Sequence, residues 1–298
     1  MNIYVVVLLQ VLLAGCTHIV AKAVVADVDP LALTFLRSVI SCGGLYFLLK
    51  VRGRRVSLKR EDRGRMMLVG MMATLNQLLY LLGMKHTTAA NGALLYATTP
   101  VLVLILSGSI LREKITAWKA AGVVLAFAGV AVIMFERGLT VSSEYTLGNI
   151  LIFLAVVAWS LFTVIGRPLV LRYGPLPSTS AATFMGSAMY FPVGIAATWS
   201  LPFGALSLAD WMGILYLGIG TSILSYLLWY AALQRIDAGR LAVFANGQPI
   251  VATILSVIFL RYSVTGVFAV GSMLTILGVI LAQEGSVSRP QHNARMHV

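Results

Sequence analysis

The sequence predicts an all-α polytopic membrane protein with ten transmembrane helices, arranged as two inverted five-helix repeats. Three observations predict this class: the composition, the length of the apolar runs and an internal duplication. Of the 298 residues, 59% are hydrophobic and 11% are charged, and the mean hydropathy is +0.91. Soluble domains are typically about 45–50% apolar and about 25% charged. Apolar runs of about 18 residues or more, each long enough to cross a bilayer as a helix, recur along the chain.

Transmembrane helices fit these runs better than barrel strands, which are short and alternate in polarity. Ten apolar segments can be drawn, at residues 3–25, 31–50, 66–84, 90–111, 117–135, 148–166, 178–198, 210–233, 239–260 and 264–283. The first segment lacks a basic n-region and a small-residue cleavage site, so it is predicted to be retained and not removed as a signal peptide. The connections are too short for a soluble domain, and residues 285–298 are predicted to form a disordered cytoplasmic tail.

The internal duplication concerns residues 81–133, which align with residues 230–282 without a gap when shifted by 149 positions. The shift is the separation of Pro100 and Pro249 (249 − 100). It also aligns Arg112 with Arg261, Gly122 with Gly271 and Gly129 with Gly278. We therefore predict a first five-helix repeat at residues 1–136 and a second at residues 148–284. Because five is odd, the second repeat must be inverted, an architecture typical of secondary transporters with a substrate site near the membrane midplane.

The basic residues predict the orientation. If the N-terminus is cytoplasmic, the inside loops and tail hold seventeen Lys and Arg residues and the outside loops hold three, namely Lys85, Arg137 and Arg261. The positive-inside rule then places both termini in the cytoplasm and the chain in the cytoplasmic (inner) membrane. The linker at residues 50–65 carries most of this bias and is expected to contact anionic lipid headgroups. Topology thus explains the net charge of +12, and no nucleic-acid partner is predicted.

Several short motifs recur in a characteristic order: Gly15 with Lys22, Pro30 before Arg37, the stretch Ala93 to Pro100, the run Leu111-Arg112-Glu113-Lys114-Ile115-Thr116, and the pair Gly122/Gly129. In this order and spacing the chain resembles, over nearly its whole length, the EamA-type members of the drug/metabolite transporter superfamily. The resemblance implies export or exchange of small metabolites, amino acids or drugs. One departure concerns a Glu that members often carry at the ends of both the fourth and ninth spans. Here Glu113 aligns with Tyr262.

Charged side chains inside predicted spans are costly and are therefore candidates for function. Lys22 lies near the outer end of the first span, Arg37 about two turns inside the second, and His18 one turn before Lys22. They could form a cationic patch for a substrate carboxylate or another anion. Alternatively, Lys22 extends outward, Arg37 pairs with Asp27, Asp29 or helix-end carbonyls, and His18 is a hydrogen-bonded interior residue. No acidic residue falls in the middle of a span, so uniport, exchange and proton antiport through His18 all stay open.

Polar and aromatic residues at mid-depth complete the predicted site. The predicted substrate-binding residues are His18, Lys22, Asn76, Tyr80, Tyr96, Trp159, Thr163, Tyr226, Trp229, Asn246 and Gln248. They are expected to line a cavity between spans one, three, four, six, eight and nine, an assignment that also rests on the resemblance. Amides in a bilayer need hydrogen-bond partners, which another helix or a wet cavity can supply.

The prolines and glycines suggest mechanical roles. Pro100 and Pro249 are predicted conformational hinges, with static bends as the alternative. The glycines spaced by seven residues predict close packing of spans five and ten, and a homodimer contact is an open alternative.

These observations favour a carrier that works by alternating access on a zwitterion or anion with an apolar part, such as an amino acid. Its expected partners are that small molecule, the lipid bilayer, and a proton or counter-substrate. Carriers of drugs, organic cations, nucleosides or sugars are alternatives, and so is a membrane subunit or receptor that transports nothing. The sequence contains no catalytic constellation, metal-ligand spacing or nucleotide-binding motif, so no enzyme activity, metal or cofactor is predicted.

Overall fold

The computed structural model describes residues 2–136, 145–199, 201–248, 250–251 and 265–284, and these ranges contain helices and no strand. The helices before residue 137 are α1 (Ile3–Asp27), α2 (Pro30–Val51), α3 (Arg60–His86), α4 (Ala89–Tyr96), α5 (Thr99–Ile110) and α6 (Ala117–Glu136). Those that follow are α7 (Thr146–Tyr173), α8 (Pro175–Trp199), α9 (Leu208–Leu215), α10 (Tyr226–Leu233), α11 (Ala238–Val243) and α12 (Gly266–Glu284). A π-helical segment, Tyr216–Ser225, joins α9 to α10, and short 3₁₀ turns occupy Phe203–Ala205 and Phe244–Gly247.

Six helical stretches within the described ranges are long and apolar enough to cross a membrane: Ile3–Asp27, Pro30–Val51, Arg60–His86, Asn91–Ile110, Thr146–Tyr173 and Leu208–Leu233. Shorter apolar helices occupy Ala117–Val132 and Ala269–Ala282. Exposed Leu, Ile, Val and Phe side chains are spread over the outer faces of these helices. An all-helical chain with several apolar spans of this length is a polytopic membrane protein.

Local chemistry explains several helix boundaries. Asp29 caps α2 by accepting hydrogen bonds from the amides of Leu31 and Ala32, and Pro30 occupies the first turn, where its missing N–H costs nothing. The predicted fourth span is two helices, because α4 ends before a turn at residues 97–98 and α5 restarts at Thr99. Pro100 lies in the first turn of α5 and so begins a helix instead of bending one. Its predicted partner hinge, Pro249, lies outside the described residues.

Glycine faces join α6 to α12. A Cβ built on Gly122 would lie 2.6 Å from the carbonyl oxygen of Gly278, and one on Gly129 would lie 2.5 Å from that of Gly271. The residue number of the contact rises from 122 to 129 along α6 while it falls from 278 to 271 along α12, so the two helices are antiparallel. Only glycine allows backbones to approach this closely. The predicted close packing on these glycines thus occurs inside one chain, between α6 and α12.

The remaining helices surround a common interior. Helix α3 packs against α7 and α8, the stack formed by α9, the π-helical segment and α10 packs against α1 and α2, and α2 packs against α8. Helices α5 and α11 pack against each other beside α7. This arrangement brings α1, α2, α3, α4, α7 and α10 to one internal cavity.

Candidate functional site

The interior cavity is narrow, polar at several points and aromatic along one side. Its volume of about 60 Å³ leaves room for a few water molecules. Of the predicted site residues, His18, Asn76, Tyr80, Tyr96, Trp159, Tyr226 and Gln248 line it. Residues that are far apart in the sequence, such as His18 and Gln248, therefore line the same cavity. An organic molecule could enter only if these side chains moved apart.

His18 lies at the meeting point of three parts of the chain. Its Nδ1 is 2.9 Å from the hydroxyl of Tyr80 on α3, and its Nε2 is 3.2 Å from Oε1 of Gln248. The rings of Tyr80 and Tyr96 present edges to the imidazole, with centroids 5.7 and 5.6 Å away. With the amide in this orientation, Nε2 donates to Gln248 and Nδ1 accepts from Tyr80, which satisfies a neutral imidazole. Protonation of Nδ1 would reverse this bond, because Nδ1 would then donate to the phenol oxygen and the Tyr80 hydroxyl proton would need another acceptor.

Asn76 connects four helices around the cavity. Its Nδ2 donates to the hydroxyl of Tyr96 and, at 2.9 Å, to the carbonyl of Ala155, and its Oδ1 accepts from the hydroxyl of Tyr226 at 3.4 Å. The neighbouring Gln77 donates to the same Tyr226 hydroxyl at 3.5 Å. A buried amide with partners on three other helices fixes the spacing of those helices, because breaking any of these bonds leaves a polar group unpaired.

An aromatic cluster forms one wall. Trp159 stacks on Phe162 with centroids 5.2 Å apart and lies 5.2 Å from Tyr226 and 5.4 Å from Trp229. Trp159 and Tyr226 face the cavity, whereas Phe162 and Trp229 lie behind them. The wall can accommodate an apolar group by stacking or by edge contact.

The π-helical segment supplies hydroxyl groups opposite α1 and α2. Ser222 donates to the carbonyl of Leu217, five residues back, as the wider π spacing allows. Thr221 and Thr17 are 2.8 Å apart through their hydroxyl oxygens, and Ser225 accepts from Gln10 at 3.3 Å. Gln10, Thr17 and Thr221 are not among the site residues predicted from the sequence. The sequence did contain a signal for two of them. Thr17 and His18 follow Gln10 by seven and eight residues, so the three side chains share one face of α1.

Four predicted site residues lie away from the cavity lining. Lys22 donates to the carbonyls of Met84 and Thr87, both at 2.8 Å, and so closes the end of α3. Asn246 is fully buried, and neither polar atom of its side chain has a hydrogen-bond partner within the described part of the chain. Trp229 Nε1 donates to Thr163 Oγ1 at 3.1 Å, so these two residues support the aromatic wall from behind.

We expect Thr163→Val to destabilise the protein without changing the chemistry of the cavity. Valine keeps the shape of threonine but leaves the buried indole N–H of Trp229 unpaired, which costs about 1–3 kcal/mol. The thermal unfolding midpoint in detergent should fall, while the half-maximal concentration of the transport that the sequence predicts stays the same. Thr198→Val is the matched control, because the Thr198 hydroxyl bonds only to carbonyls of its own helix. A changed half-maximal concentration in Thr163→Val alone would instead indicate that Thr163 contacts the substrate.

An ion-pair cluster near the C-terminal end of α7 links three parts of the chain. Arg167 lies 2.8 Å from a carboxylate oxygen of Glu113 and 3.1 Å from one of Asp237. Glu113 also accepts from the amides of Ala238 and Gly239, at 3.1 and 3.3 Å, at the start of α11. This cluster, Glu113–Arg167–Asp237, therefore connects the loop before α6 with α7 and α11.

A multi-pass helical protein with a polar and aromatic cavity between its spans has the architecture of a membrane transporter. The profile of the EamA-like transporter family matches residues 1–135 and 146–283, and the chain belongs to this family. The chain is therefore a multi-pass membrane transporter of small molecules and not an enzyme.

Relatives and a solved structure agree with this assignment. The chain is 27% identical to "Uncharacterized transporter YyaM" of Bacillus subtilis, over 99% of this chain and 97% of that protein. It is 30% identical to a transporter of Archaeoglobus fulgidus, over 94% and 98% of the two chains. It is 26% identical to the "Probable terminal-alkyne amino-acid exporter" of Streptantibioticus cattleyicolor, over 70% and 68%. A protein crystal structure with 21% identity superposes with a TM-score of 0.78, over 94% and 96%, and so shares the fold.

Proposed function

We propose that this transporter is a secondary carrier that moves an amino acid, or a related zwitterion or organic anion, across the cytoplasmic membrane. Transport is outward or in exchange. The observation that carries the proposal is the cavity itself, which combines neutral amides, hydroxyls, an aromatic wall and one guanidinium, that of Arg37. This lining suits a small molecule with a negative group and an apolar part better than a metal ion or an organic cation. The relative named as an amino-acid exporter supports the same substrate class.

The proposed mechanism is alternating access between two inverted repeats, residues 1–136 and 148–284, in a ten-span protein with both termini cytoplasmic. Contacts between α6 and α12 support the two-fold relation. A shift of 149 maps Gly122 onto Gly271 and Gly129 onto Gly278. The close approaches in the structure are Gly122 to Gly278 and Gly129 to Gly271, so the mapping turns each contact into the other. That exchange is the property of an interface around a two-fold axis.

Two further contacts join residues that the shift maps onto each other. Thr275 Oγ1 lies 3.5 Å from the carbonyl of Ala126, and Gln77 Nε2 lies 3.5 Å from the hydroxyl of Tyr226. The arithmetic is 126 + 149 = 275 and 77 + 149 = 226, and a residue can touch its own mate only near the axis. The helix order agrees, since α3 packs on α7 and α8 while its counterpart, the α9–α10 stack, packs on α1 and α2.

Alternating access requires a closure on each side of the cavity, and two polar contacts support such closures. The charge bias of the loops assigns the Glu113–Arg167–Asp237 cluster to the cytoplasmic side. In the early spans a weaker match at a shift of 145 pairs Lys22 with Arg167 and Pro30 with Pro175. Lys22 binds the end of α3 at the other side of the cavity. The cytoplasmic closure is thus held by ion pairs and the outer one by a lysine on carbonyls. The bound substrate would bias the interconversion between the conformations open on either side, together with the membrane potential or a counter-substrate.

The test is uptake of a labelled mixture of the protein amino acids into proteoliposomes, with and without a pH gradient, by the wild type and by His18→Ala. We expect protein-dependent, saturable uptake. If a proton is coupled through His18, the gradient-driven part disappears in His18→Ala and persists in His86→Ala, which removes an exposed histidine. Equal exchange in all three proteins and no effect of the gradient would indicate an exchanger with a structural His18. Absence of uptake of any amino acid would refute the substrate class and direct attention to nucleosides, sugars and organic cations.

A further inference from the structure

We propose that Arg37 binds the carboxylate of the transported molecule, and that the substrate is a monocarboxylate with a second, hydrogen-bond-donating group, as in an α-amino acid. This inference deepens the proposed function and rests on it. It is carried by unpaired polar atoms of the cavity lining.

Arg37 is a buried cation without a counter-charge. The residue is 2% exposed and lines the cavity from α2. Its Nη2 donates to the neutral hydroxyl of Ser222 at 3.2 Å, and its Nε has no partner within the described residues. No carboxylate of that part of the chain lies within 4.0 Å of it, and the nearby Asp29 is occupied in capping α2. The pairing with Asp27 or Asp29 that the sequence left open does not occur.

A guanidinium in this position is costly unless an anion neutralises it. Buried cations in membrane proteins normally pair with acids or face a water-filled path. The phenol groups of Tyr80, Tyr96, Tyr216 and Tyr226 surround Arg37, but neutral hydroxyls supply hydrogen bonds and no counter-charge. The guanidinium has five N–H donors in a planar fork that matches a carboxylate. A ligand carboxylate would complete the pairing that the protein leaves open.

The lining limits the number of carboxylates in the ligand. Among the described residues that line this cavity, Arg37 is the one Lys, Arg, Asp or Glu. One guanidinium can pair with one carboxylate, whereas a phosphate dianion or a dicarboxylate would bring a second negative charge for which the lining offers no cation. The ammonium of a zwitterion is compensated within the ligand by its own carboxylate. The cavity therefore fits a monocarboxylate.

An unpaired acceptor on the same cavity suggests the second group. Oε1 of Gln10 is buried and has no hydrogen-bond partner within the described residues, while its Nε2 is held by Ser225. An ammonium group carries only donors and would satisfy this oxygen. The unpaired donor on Arg37 and the unpaired acceptor on Gln10 complement the two charged groups of a zwitterion, and the Thr99 hydroxyl, which also lines the cavity without a partner in the described residues, can bond to either group. The side chain of that molecule would lie against Trp159 and Tyr226.

The first test needs no variant. Wild-type proteoliposomes take up the labelled amino-acid mixture in the presence of excess unlabelled free amino acids, amino-acid amides or N-acetyl amino acids. Free amino acids should compete fully. The amides, which lack the carboxylate, should compete about tenfold more weakly or worse, because they would leave the Arg37 charge unpaired. The N-acetyl compounds, which lack the ammonium, should compete at an intermediate level. Equal competition by free amino acids and amides would overturn the assignment of Arg37.

The second test uses Arg37→Met and Arg37→Lys. Methionine removes the charge but keeps an apolar chain of similar length, so the fold should survive, as a wild-type gel-filtration profile in detergent would verify. Uptake by Arg37→Met should fall about tenfold or more, and Arg37→Lys should retain part of it, because lysine keeps the charge and loses the planar fork. Wild-type uptake of amino acids together with undiminished uptake by folded Arg37→Met would overturn the inference and leave the proposed function intact. No amino-acid uptake by the wild type would instead overturn the proposed function.

Discussion

Replacing Glu113 with glutamine is expected to loosen the connection between α7 and α11 and, under the alternating access proposed above, to shift the transporter toward a conformation open at that end. The Glu113 side chain is 8% exposed and that of Arg167 is 20% exposed. The Glu113 carboxylate also accepts hydrogen bonds from two backbone amides at the start of α11. The amide of glutamine can accept one of these bonds but carries no charge. We expect a cost of about 3 kcal/mol, at the lower end of the range for breaking a buried ion pair, because both side chains of the pair retain some exposure.

Hydrogen–deuterium exchange of residues 238–243 measures this effect directly. The amides of Ala238 and Gly239 donate to Glu113, so their exchange rates depend on how often the cluster opens. A cost of about 3 kcal/mol corresponds to exchange faster by about a hundredfold. Glu61→Gln is the matched control, because Glu61 pairs with Arg172 where both side chains are largely exposed, at 63% and 42%. Unchanged exchange of residues 238–243 in Glu113→Gln would show that the carboxylate does not hold α11.

The sequence identifies the polar residues that lie deep within the predicted spans. It says less about which side chain each of them contacts in the folded protein. Asn76, Tyr80 and His18 could be selected because polar side chains in an apolar run need partners. Helix periodicity places Asn76 and Tyr80 on one face of α3, and in the structure this face meets the cavity. Thr163 was selected on the same grounds, yet its hydroxyl accepts from Trp229 behind the wall. Helical spacing assigns a residue to a face, and the packing of a second helix decides whether that face meets the cavity.

Two local features could not be read from the pattern of apolar residues. The predicted eighth span, residues 210–233, contains the π-helical segment Tyr216–Ser225, whose sequence is no less apolar than an ordinary helix. Its extra width depends on tertiary contacts, such as the hydroxyl contact between Thr17 and Thr221. The predicted fourth span is broken at residues 97–98, although the proline that permits the break was visible. A proline permits several backbone outcomes, and the packing of α4 and α5 selects among them.

Arg37 illustrates the same limit of prediction from sequence, here for the partner of a charged residue. Its sequence neighbours Asp27 and Asp29 are candidates to pair with it, so the sequence left both ion pairing and ligand binding open. The structure separates them because Asp29 turns toward the α2 amides, whereas Arg37 extends toward Ser222 on a segment 185 positions away. Only the three-dimensional arrangement distinguishes a paired charge from an unpaired one.

Replacing Gly129 with alanine is expected to have the largest effect on folding. The added Cβ would lie 2.5 Å from the carbonyl oxygen of Gly271 and 2.5 Å from the backbone nitrogen of Thr275. Normal contacts of carbon are about 3.5 Å, so α6 and α12 would have to separate by about 1 Å. Backbone atoms cannot rotate away as a side chain can. We expect destabilisation of about 3 kcal/mol or more, at the upper end of the range for overpacked interiors.

Thermal unfolding in detergent, followed by gel filtration of the heated protein, measures the loss. Gly43→Ala is the control, because a Cβ on that helical glycine meets nothing within 4 Å. It should be neutral or stabilising by up to about 1 kcal/mol. Adding Thr275→Ala to Gly129→Ala removes the hydroxyl but leaves both backbone contacts, so it should not restore stability. Full recovery in the double variant would show that the side chain, and not the backbone, limits the approach of the helices.

Gly278→Ala extends this experiment to the symmetry of the fold, because the shift of 149 maps Gly129 onto Gly278. The Cβ on Gly278 would lie 2.7 Å from the carbonyl oxygen of Gly122 and also too close to the backbone nitrogen of Ala126. The same shift maps these two residues onto Gly271 and Thr275, whose carbonyl oxygen and nitrogen face the Cβ on Gly129. If the two repeats are related by a two-fold axis, the Gly278 and Gly129 variants should lose similar stability, because each is the symmetry mate of the other. A large loss in one variant and none in the other would mean that the helices can tilt apart at one end, and it would argue against that axis.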